Sequence, residues 1–408
     1  MSLTPAIKNG LKAFVHALGL DIRRDKPRFN PRCVTLNPVS VPKGRVLLSY
    51  VLDPFLVKPG QPVSTSHTHH GESVLIAETW RKHGYSVDVI DYRNHQFIPR
   101  KRYDFFVSAR THLEAIAARL NPDCVKIAHL DTSHYTTNNH ATYTRLLDLQ
   151  QRRAFSLPDS ARLVEPNRAI EHAHYGIVLG NEVTLDTYRY ASKPLFPIVV
   201  PAAFHFPWDA DKNFRDCRNR FLWFGSGGLM HKGLDLTLEA FVGMPEMHLT
   251  VCGPVETERD FVSTYYKELY QTTNIRTVGW VDVAGAEFRQ IARSTVGIVY
   301  PSCAEGQAGT VVNCLCAGLI PIISRESGIT VDDFGLLLNG CTVEDIRSAA
   351  RYVAALPAEE LVIRARRAWE YAATHHSHDA YREAYDKIAQ KIIAESAKQP
   401  TATNRETN

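Results

Sequence analysis

The residues of this chain best placed to do chemistry lie between Pro301 and Pro321, which reads PSCAEGQAGTVVNCLCAGLIP. An apolar run, Val296–Tyr300, predicts a strand leading into a loop of small residues with one acid, Glu305. A helix is predicted to open near Thr310 and a second strand to follow at Ile320–Ser324. Strand, glycine loop and helix start is how α/β proteins present backbone N–H groups to an anionic ligand. A lone carboxylate in such a loop cannot serve a phosphate, but it can accept hydrogen bonds from hydroxyls. The combination suggests a site for a nucleotide sugar.

A second segment, Phe221–Gly233, reads FLWFGSGGLMHKG. Its strand ends at Phe224, and Gly225, Gly227 and Gly228 permit tight turning and close approach of backbone to a ligand. Lys232, just before a predicted helix, is a point charge suited to a diphosphate. Other candidates carry weaker signals. His67, Thr68, His69 and His70 read as a loop at a cleft mouth; no HExxH or CxxC accompanies them, so no metal site is expected. His134 and His140 could line an acceptor pocket or belong to a solvated helix start. Asn181-Glu182 follows a strand end and reads equally well as a helix cap. There is no G-x-S-x-G elbow, which argues against serine hydrolase chemistry.

The elements that must hold these residues follow from hydrophobic patterning. The 408 residues are 44% hydrophobic and 22% charged, a globular composition long enough for two domains. A net charge of +4 is too small and too dispersed to suggest nucleic-acid binding. Eight cysteines without a CxxC pair, mostly inside apolar runs, fit reduced thiols in a cytoplasmic protein. No apolar run approaches the roughly 20 residues needed to cross a bilayer, and the start lacks a signal peptide's apolar region and cleavage site.

Residues 1–40 read as a basic amphipathic segment. Ile7, Leu11, Phe14 and Leu18 fall at helical spacing beside Lys8, Lys12, Arg23, Arg24 and Lys26. Such a helix docks on its own domain or, through residues 1–30, on the inner face of an anionic membrane. From 41 to 210 short apolar runs (Val46–Val51, Val87–Ile90, Phe105–Ser108, Val125–Leu130, Ile177–Leu179) alternate with helical stretches such as Glu72–His83. Runs of this kind predict strands covered on both faces, hence a parallel sheet. Pro201–Asp216 reads as the linker. The alternation restarts over 211–375, a C-terminal helix is expected at 376–398, and the polar tail 399–408 is expected to be disordered. Two alternating modules predict two Rossmann-like, doubly wound α/β domains facing each other across a cleft.

Several of these residues together resemble the donor half of glycosyltransferase family 4. They are Gly225 followed by Lys232-Gly233-Leu234-Asp235, then Gly253-Pro254, Gly279-Trp280, and Pro301-Ser302 with Glu305-Gly306, Gly318 and Pro321. The likeness covers about 215–375 well and 41–210 weakly, where His70-Gly71-Glu72 looks like the family's glycine loop and His129-Leu130-Asp131 like its acceptor-side histidine region. It implies the GT-B fold, transfer from a nucleotide-sugar donor with retention, and no metal or separate cofactor. It also implies roles. Lys232 and backbone N–H groups near Ser226–Gly228 would stabilise the leaving diphosphate, with Gly253 and Gly279 beside the nucleotide. Glu305, with the amides of Gly306, Gln307, Ala308, Gly309 and Thr310, would orient the donor sugar. Asn313 would face the ribose, His129 would lie under the sugar, and His70, Gly71 and Asp131 would stand near a glycan, polysaccharide or lipid-linked acceptor. Two positions depart from the family: Asn313 stands where a second glutamate is usual, and Ser226 where an arginine is frequent. Two other readings share the fold, a nucleotide-sugar epimerase and a non-catalytic sugar-binding relative.

Overall fold

The computed structural model describes residues 30–398 except 59, 61, 62, 66, 112 and 158–161. The amphipathic helix expected near the N-terminus and the tail 399–408 lie outside the described residues. Two sheets organise the chain. The first has the order β1-β3-β2-β4-β5-β6-β7, built from β1 (Cys33–Leu36), β2 (Gly44–Tyr50), β3 (Tyr85–Asp91), β4 (Phe105–Ala109), β5 (Val125–Leu130), β6 (Tyr175–Leu179) and β7 (Leu195–Ile198). Every pairing is parallel except β1 with β3. Cys33–Leu36, read above as part of the N-terminal segment 1–40, is therefore the edge strand of this sheet.

The second sheet is wholly parallel, in the order β10-β9-β8-β11-β12-β13. Its strands are β8 (Arg220–Phe224), β9 (His248–Cys252), β10 (Ile275–Gly279), β11 (Gly297–Tyr300), β12 (Ile320–Ile323) and β13 (Leu336–Leu337). Chain order reverses between β8 and β11, so this is a doubly wound sheet with its crevice at the C-terminal ends of those two strands. The central strands are buried on both faces, as their unbroken apolar sequences require. The linker after Pro201 is irregular up to the short helix Phe214–Cys217.

Packing does not respect the boundaries drawn from sequence. The helix Tyr135–Arg153 belongs to the first lobe, yet its Leu149 is buried in the core of the second. Arg152 pairs with Asp235 at 2.6 Å and Glu239 at 3.1 Å, Arg153 pairs with Glu268, and Arg145 donates to the Pro301 carbonyl at 3.0 Å. The last helix, His378–Ser396, runs the other way. Tyr381, Tyr385, Ile388 and Ile392 recur along one face and are buried against the first lobe. Asp386 closes the contact through Lys82 and His83, and Tyr381 reaches Glu72. Each lobe lends the other a helix.

Two buried histidines make this arrangement acid-sensitive. His376 has no solvent exposure, donates from Nδ1 to the Val200 carbonyl at 2.7 Å, and accepts the Ala202 N–H on its own carbonyl at 2.8 Å. His231 is as deeply placed; its Nε2 donates to the Ala304 carbonyl at 2.5 Å, and Thr142 Oγ1 of the first lobe lies 2.9 Å from Nδ1. Burial pushes His231 down to about 3 and His376 down to about 4, from an ordinary 6.5. Both are neutral when folded, and the unfolded chain takes up protons below pH 6.5. The stability they confer is complete above that value and is lost as pH falls toward 4. The slope is at most about 1.4 kcal/mol per pH unit for each ring. Urea unfolding midpoints measured between pH 7.5 and 5 should fall on the acid side, and less steeply in His376→Asn.

Candidate active site

The cleft between the sheets opens where the topology requires it, at the C-terminal ends of β8 and β11 on one side and of β4 and β5 on the other. From the second lobe come Gly225, Ser226, Lys232, Tyr300, Glu305 and Asn313; from the first come His67, His69, Arg110, Asp131, Thr132 and Arg162.

Lys232 and Glu305 form the centre of the second lobe's wall. Lys232 Nζ lies 2.8 Å from Glu305 Oε1 and 2.9 Å from the Tyr300 hydroxyl. Tyr300 and Ser302 both donate to the same Glu305 oxygen, at 2.9 and 3.0 Å. Burial pushes the Glu305 carboxyl up, but the charges of Lys232 and Arg162 outweigh it and hold the group well below the usual carboxylate range. Burial also lowers Lys232, against the pull of Glu305. Gly233 lets this lysine reach its place. It sits at φ +73, and a Cβ there would meet the Pro301 carbonyl oxygen at 2.5 Å.

Not every expected donor residue lines the cleft. Gly225, Ser226, Gln307, Ala308, Gly309, Thr310 and Asn313 do. Gly227 and Gly228 do not: the N–H groups of Gly228 and Leu229 donate to the Glu258 carboxylate, at 2.5 and 3.0 Å. Backbone amides expected to hold a diphosphate are thus engaged by an acid of the chain itself. Gly253 acts by spacing, whereas Gly279 holds a left-handed backbone, φ +94, with open space where a Cβ would stand. A Cβ on Gly253 would strike the Gly225 carbonyl oxygen at 2.4 Å, and the cleft residues are their neighbours Pro254 and Trp280. Gly306 packs its backbone on Asp131, where a Cβ would meet the carbonyl oxygen at 2.4 Å. The Gln307 amide is used at both ends, accepting from Val200 N and donating to the Gly328 carbonyl. Asn313 accepts the Ala203 N–H on its carbonyl oxygen at 2.9 Å, so its NH2 end is what it can offer a ligand.

The first lobe's wall also departs from the sequence reading. His70 and Gly71, read as a loop, lie in the first turn of the helix Thr68–Lys82. His67 caps that helix with its side chain. His70 turns to the Ser64 carbonyl, and a Cβ on Gly71 would face His378. The helix start instead puts His69 and Glu72 on one face. His69 Nδ1 lies 2.9 Å from Glu72 Oε2 and 2.6 Å from the Tyr50 hydroxyl, while Nε2 lies 3.2 Å from Asp131 Oδ2. His129, expected under the donor sugar, is fully buried behind this layer. Its Nε2 bonds Glu72 Oε1 at 2.6 Å. Along β5 its side chain shares the phase of Ile127, which points into the core; the chain reaches the cleft only two residues later, at Asp131. Burial raises Glu72, but hydrogen bonds from His129 and His69 overcome that and keep it well below the ordinary range. Asp131 is paired with Arg110 at 3.0 Å. The line Asp131–His69–Glu72–His129 can orient a hydroxyl at the cleft.

Arg110, Arg162 and Tyr300 are thus site residues that the sequence reading missed, while His69, read as part of a loop at the cleft mouth, does line the cleft but from the first turn of a helix. For His69 a signal existed, since the apolar periodicity of Leu75, Ile76 and Trp80 extends back to it at helical spacing. His134 lies outside the cleft lining, beside Tyr188 and Tyr190, and Asn181 is a helix cap. Among the described residues no group of three or more His, Cys, Asp or Glu is arranged to hold a metal, and no helix is long and apolar enough to cross a membrane.

Comparison with known proteins agrees with this architecture. No family model matches the sequence, and no curated protein matches it. Solved structures do. Sucrose-phosphate synthase from Thermosynechococcus elongatus superposes with a TM-score of 0.59 at 13% identity, over 87% of this chain and 100% of that one. Alr3699/HepE of Anabaena, in complex with UDP and glucose, gives 0.54 at 12% identity, over 86% and 100%. At these identities the likeness is one of fold. The fold is GT-B.

Proposed function

We propose that the protein is a glycosyltransferase that moves a sugar from a nucleoside-diphosphate donor to a hydroxyl acceptor with retention. The observation that carries this reading is the Lys232–Glu305 pair at the switch point of the second sheet, faced across the cleft by His69, Asp131 and Arg110. The cation suits the departing diphosphate, the carboxylate suits donor hydroxyls, and the facing histidine–aspartate pair suits an acceptor hydroxyl. The HepE structure, of the same fold, holds UDP and glucose. In the proposed step the bond from the anomeric carbon to phosphate breaks as the bond to the acceptor oxygen forms on the same face. The acceptor proton passes to the departing phosphate oxygen. Lys232 stabilises the charge developing there, so the reaction is read as metal-independent and without a separate cofactor. The acceptor is read as a glycan, polysaccharide or lipid-linked sugar, met at the inner face of a membrane through residues 1–30.

The nucleobase is assigned to the lip of the cleft. Trp280 is 61% exposed there, beside Pro254 and Val283. An indole left this open is a stacking surface, worth roughly 1–3 kcal/mol to a base. Trp280→Ala should therefore weaken nucleotide binding by about tenfold or more without slowing the chemical step at saturation.

A panel of UDP-, GDP-, ADP- and dTDP-sugars tests the reading. Nucleotide released only with acceptor, or slowly by hydrolysis, supports transfer. An isomerised donor would point to an epimerase, and binding without turnover to a non-catalytic relative. Absence of any calorimetric heat with the whole panel would remove the proposal.

A further inference from the structure

The leaving diphosphate needs more positive charge than the second lobe supplies. Lys232 is one cation, and it is shared with Glu305 and Tyr300. Ser226 brings none. The nearby amides of Gly228 and Leu229 are taken by the Glu258 carboxylate rather than open to a phosphate.

Another cation reaches the same place from the other side of the cleft. Arg162 lies in the first lobe. Its Nη1 lies 3.4 Å from Glu305 Oε2, and its Cδ lies so close over Gly228 that a Cβ there would meet it at 2.8 Å. Its side chain is 32% exposed and lines the cleft with Ser226 and Lys232. Its backbone is fastened to the bridging helix Tyr135–Arg153. Asn138 donates to the Arg162 carbonyl at 3.1 Å, and the Asn139 side chain brackets Val164 with two bonds of 2.9 Å. A guanidinium carries five donors in a fixed fork, so it can keep Glu305 and still present N–H groups to a phosphate.

Resting on the transferase reading, we infer that Arg162 is the second diphosphate-binding cation of this site, delivered across the cleft in place of the arginine absent at 226. The charge-stabilising site is then complete only while both lobes face each other, held so by the bridging helix and its arginines.

The test measures calorimetric affinity for UDP, GDP, ADP and dTDP and for the matching monophosphates, in wild type, Arg162→Ala, Arg162→Lys and Arg162→Ala/Ser226→Arg. Arg162→Ala should lose roughly 10- to 100-fold for the diphosphate that wild type prefers and little for its monophosphate. Arg162→Lys should recover part of the loss, and the added Ser226→Arg should restore diphosphate preference from the other lobe. Near-ultraviolet circular dichroism verifies that each variant is folded. A role limited to partnering Glu305 predicts equal loss for both phosphate states and no rescue by Ser226→Arg; that result overturns the inference, as does unchanged affinity in Arg162→Ala. If wild type binds no nucleoside diphosphate, the transferase reading fails and this inference with it. If wild type binds and only the variants behave as unchanged, the inference alone fails.

Discussion

Replacing Lys232 with methionine should reduce kcat/KM for sugar transfer roughly 100- to 1,000-fold, the usual cost of losing one preorganised group that meets transition-state charge. Methionine fills nearly the same volume and removes only the ammonium. The loss should appear mainly in kcat, because the charge develops as the glycosidic bond to phosphate breaks. Glu305 would keep Arg162, Tyr300 and Ser302 as partners. The fold should therefore survive, although a buried carboxylate that loses its closest cation destabilises the protein, by up to about 3–5 kcal/mol where no substitute partner exists. Steady-state kinetics with the preferred donor, paired with urea unfolding, separates the two effects. Unchanged kinetics would exclude Lys232 from the reaction.

The largest effect on stability is expected from Glu72→Ala. Glu72 has no solvent exposure and gathers His129, His69 and the hydroxyl of Tyr50, with Tyr381 at 3.5 Å from the last helix. Alanine would leave His129 without its Glu72 partner in a buried cavity and remove the acceptor that His69 and Tyr50 share. Each unsatisfied buried group costs about 1–3 kcal/mol, and loss of a buried ionic partner about 3–5 kcal/mol. A drop of that larger size in urea unfolding free energy is expected, together with slower transfer because His69 loses one of its three partners and keeps only Tyr50 and Asp131. Glu72→Gln, which keeps an acceptor oxygen, should recover much of the stability and less of the activity. Equal stability of Glu72→Ala and wild type would mean that the network adds nothing to the fold.

The second lobe was legible in the sequence for a physical reason. Its strands are buried on both faces and so are written as unbroken apolar runs, and its turns are written in glycine and proline. The short edge elements were not legible. β13 is two residues long, and β7 contains a proline that reads as a break. β1 is only half buried, so nothing in its composition marks it as part of a sheet. In the cleft, Lys232, Glu305 and Asp131 announced themselves by lying in or beside glycine loops or strand ends. Gly71 misled, because a glycine beside three histidines looks like a loop even when its missing side chain serves packing against His378. Arg110 and Arg162 carry no local signature at all. Arg110 holds a left-handed backbone, φ 65, which no sequence pattern foretells, and Arg162 matters only because a distant helix sets it opposite Gly228.

The exchange of helices between lobes has a consequence for how the protein comes into being. The first lobe is translated long before His378–Ser396, yet Tyr381, Tyr385 and Ile392 complete its interior. While the ribosome is still adding the second lobe, the nascent first lobe presents an uncovered apolar flank along the helix Thr68–Lys82. That flank closes only after the final helix has emerged, so the burden on chaperones falls on the whole interval of synthesis rather than on its end.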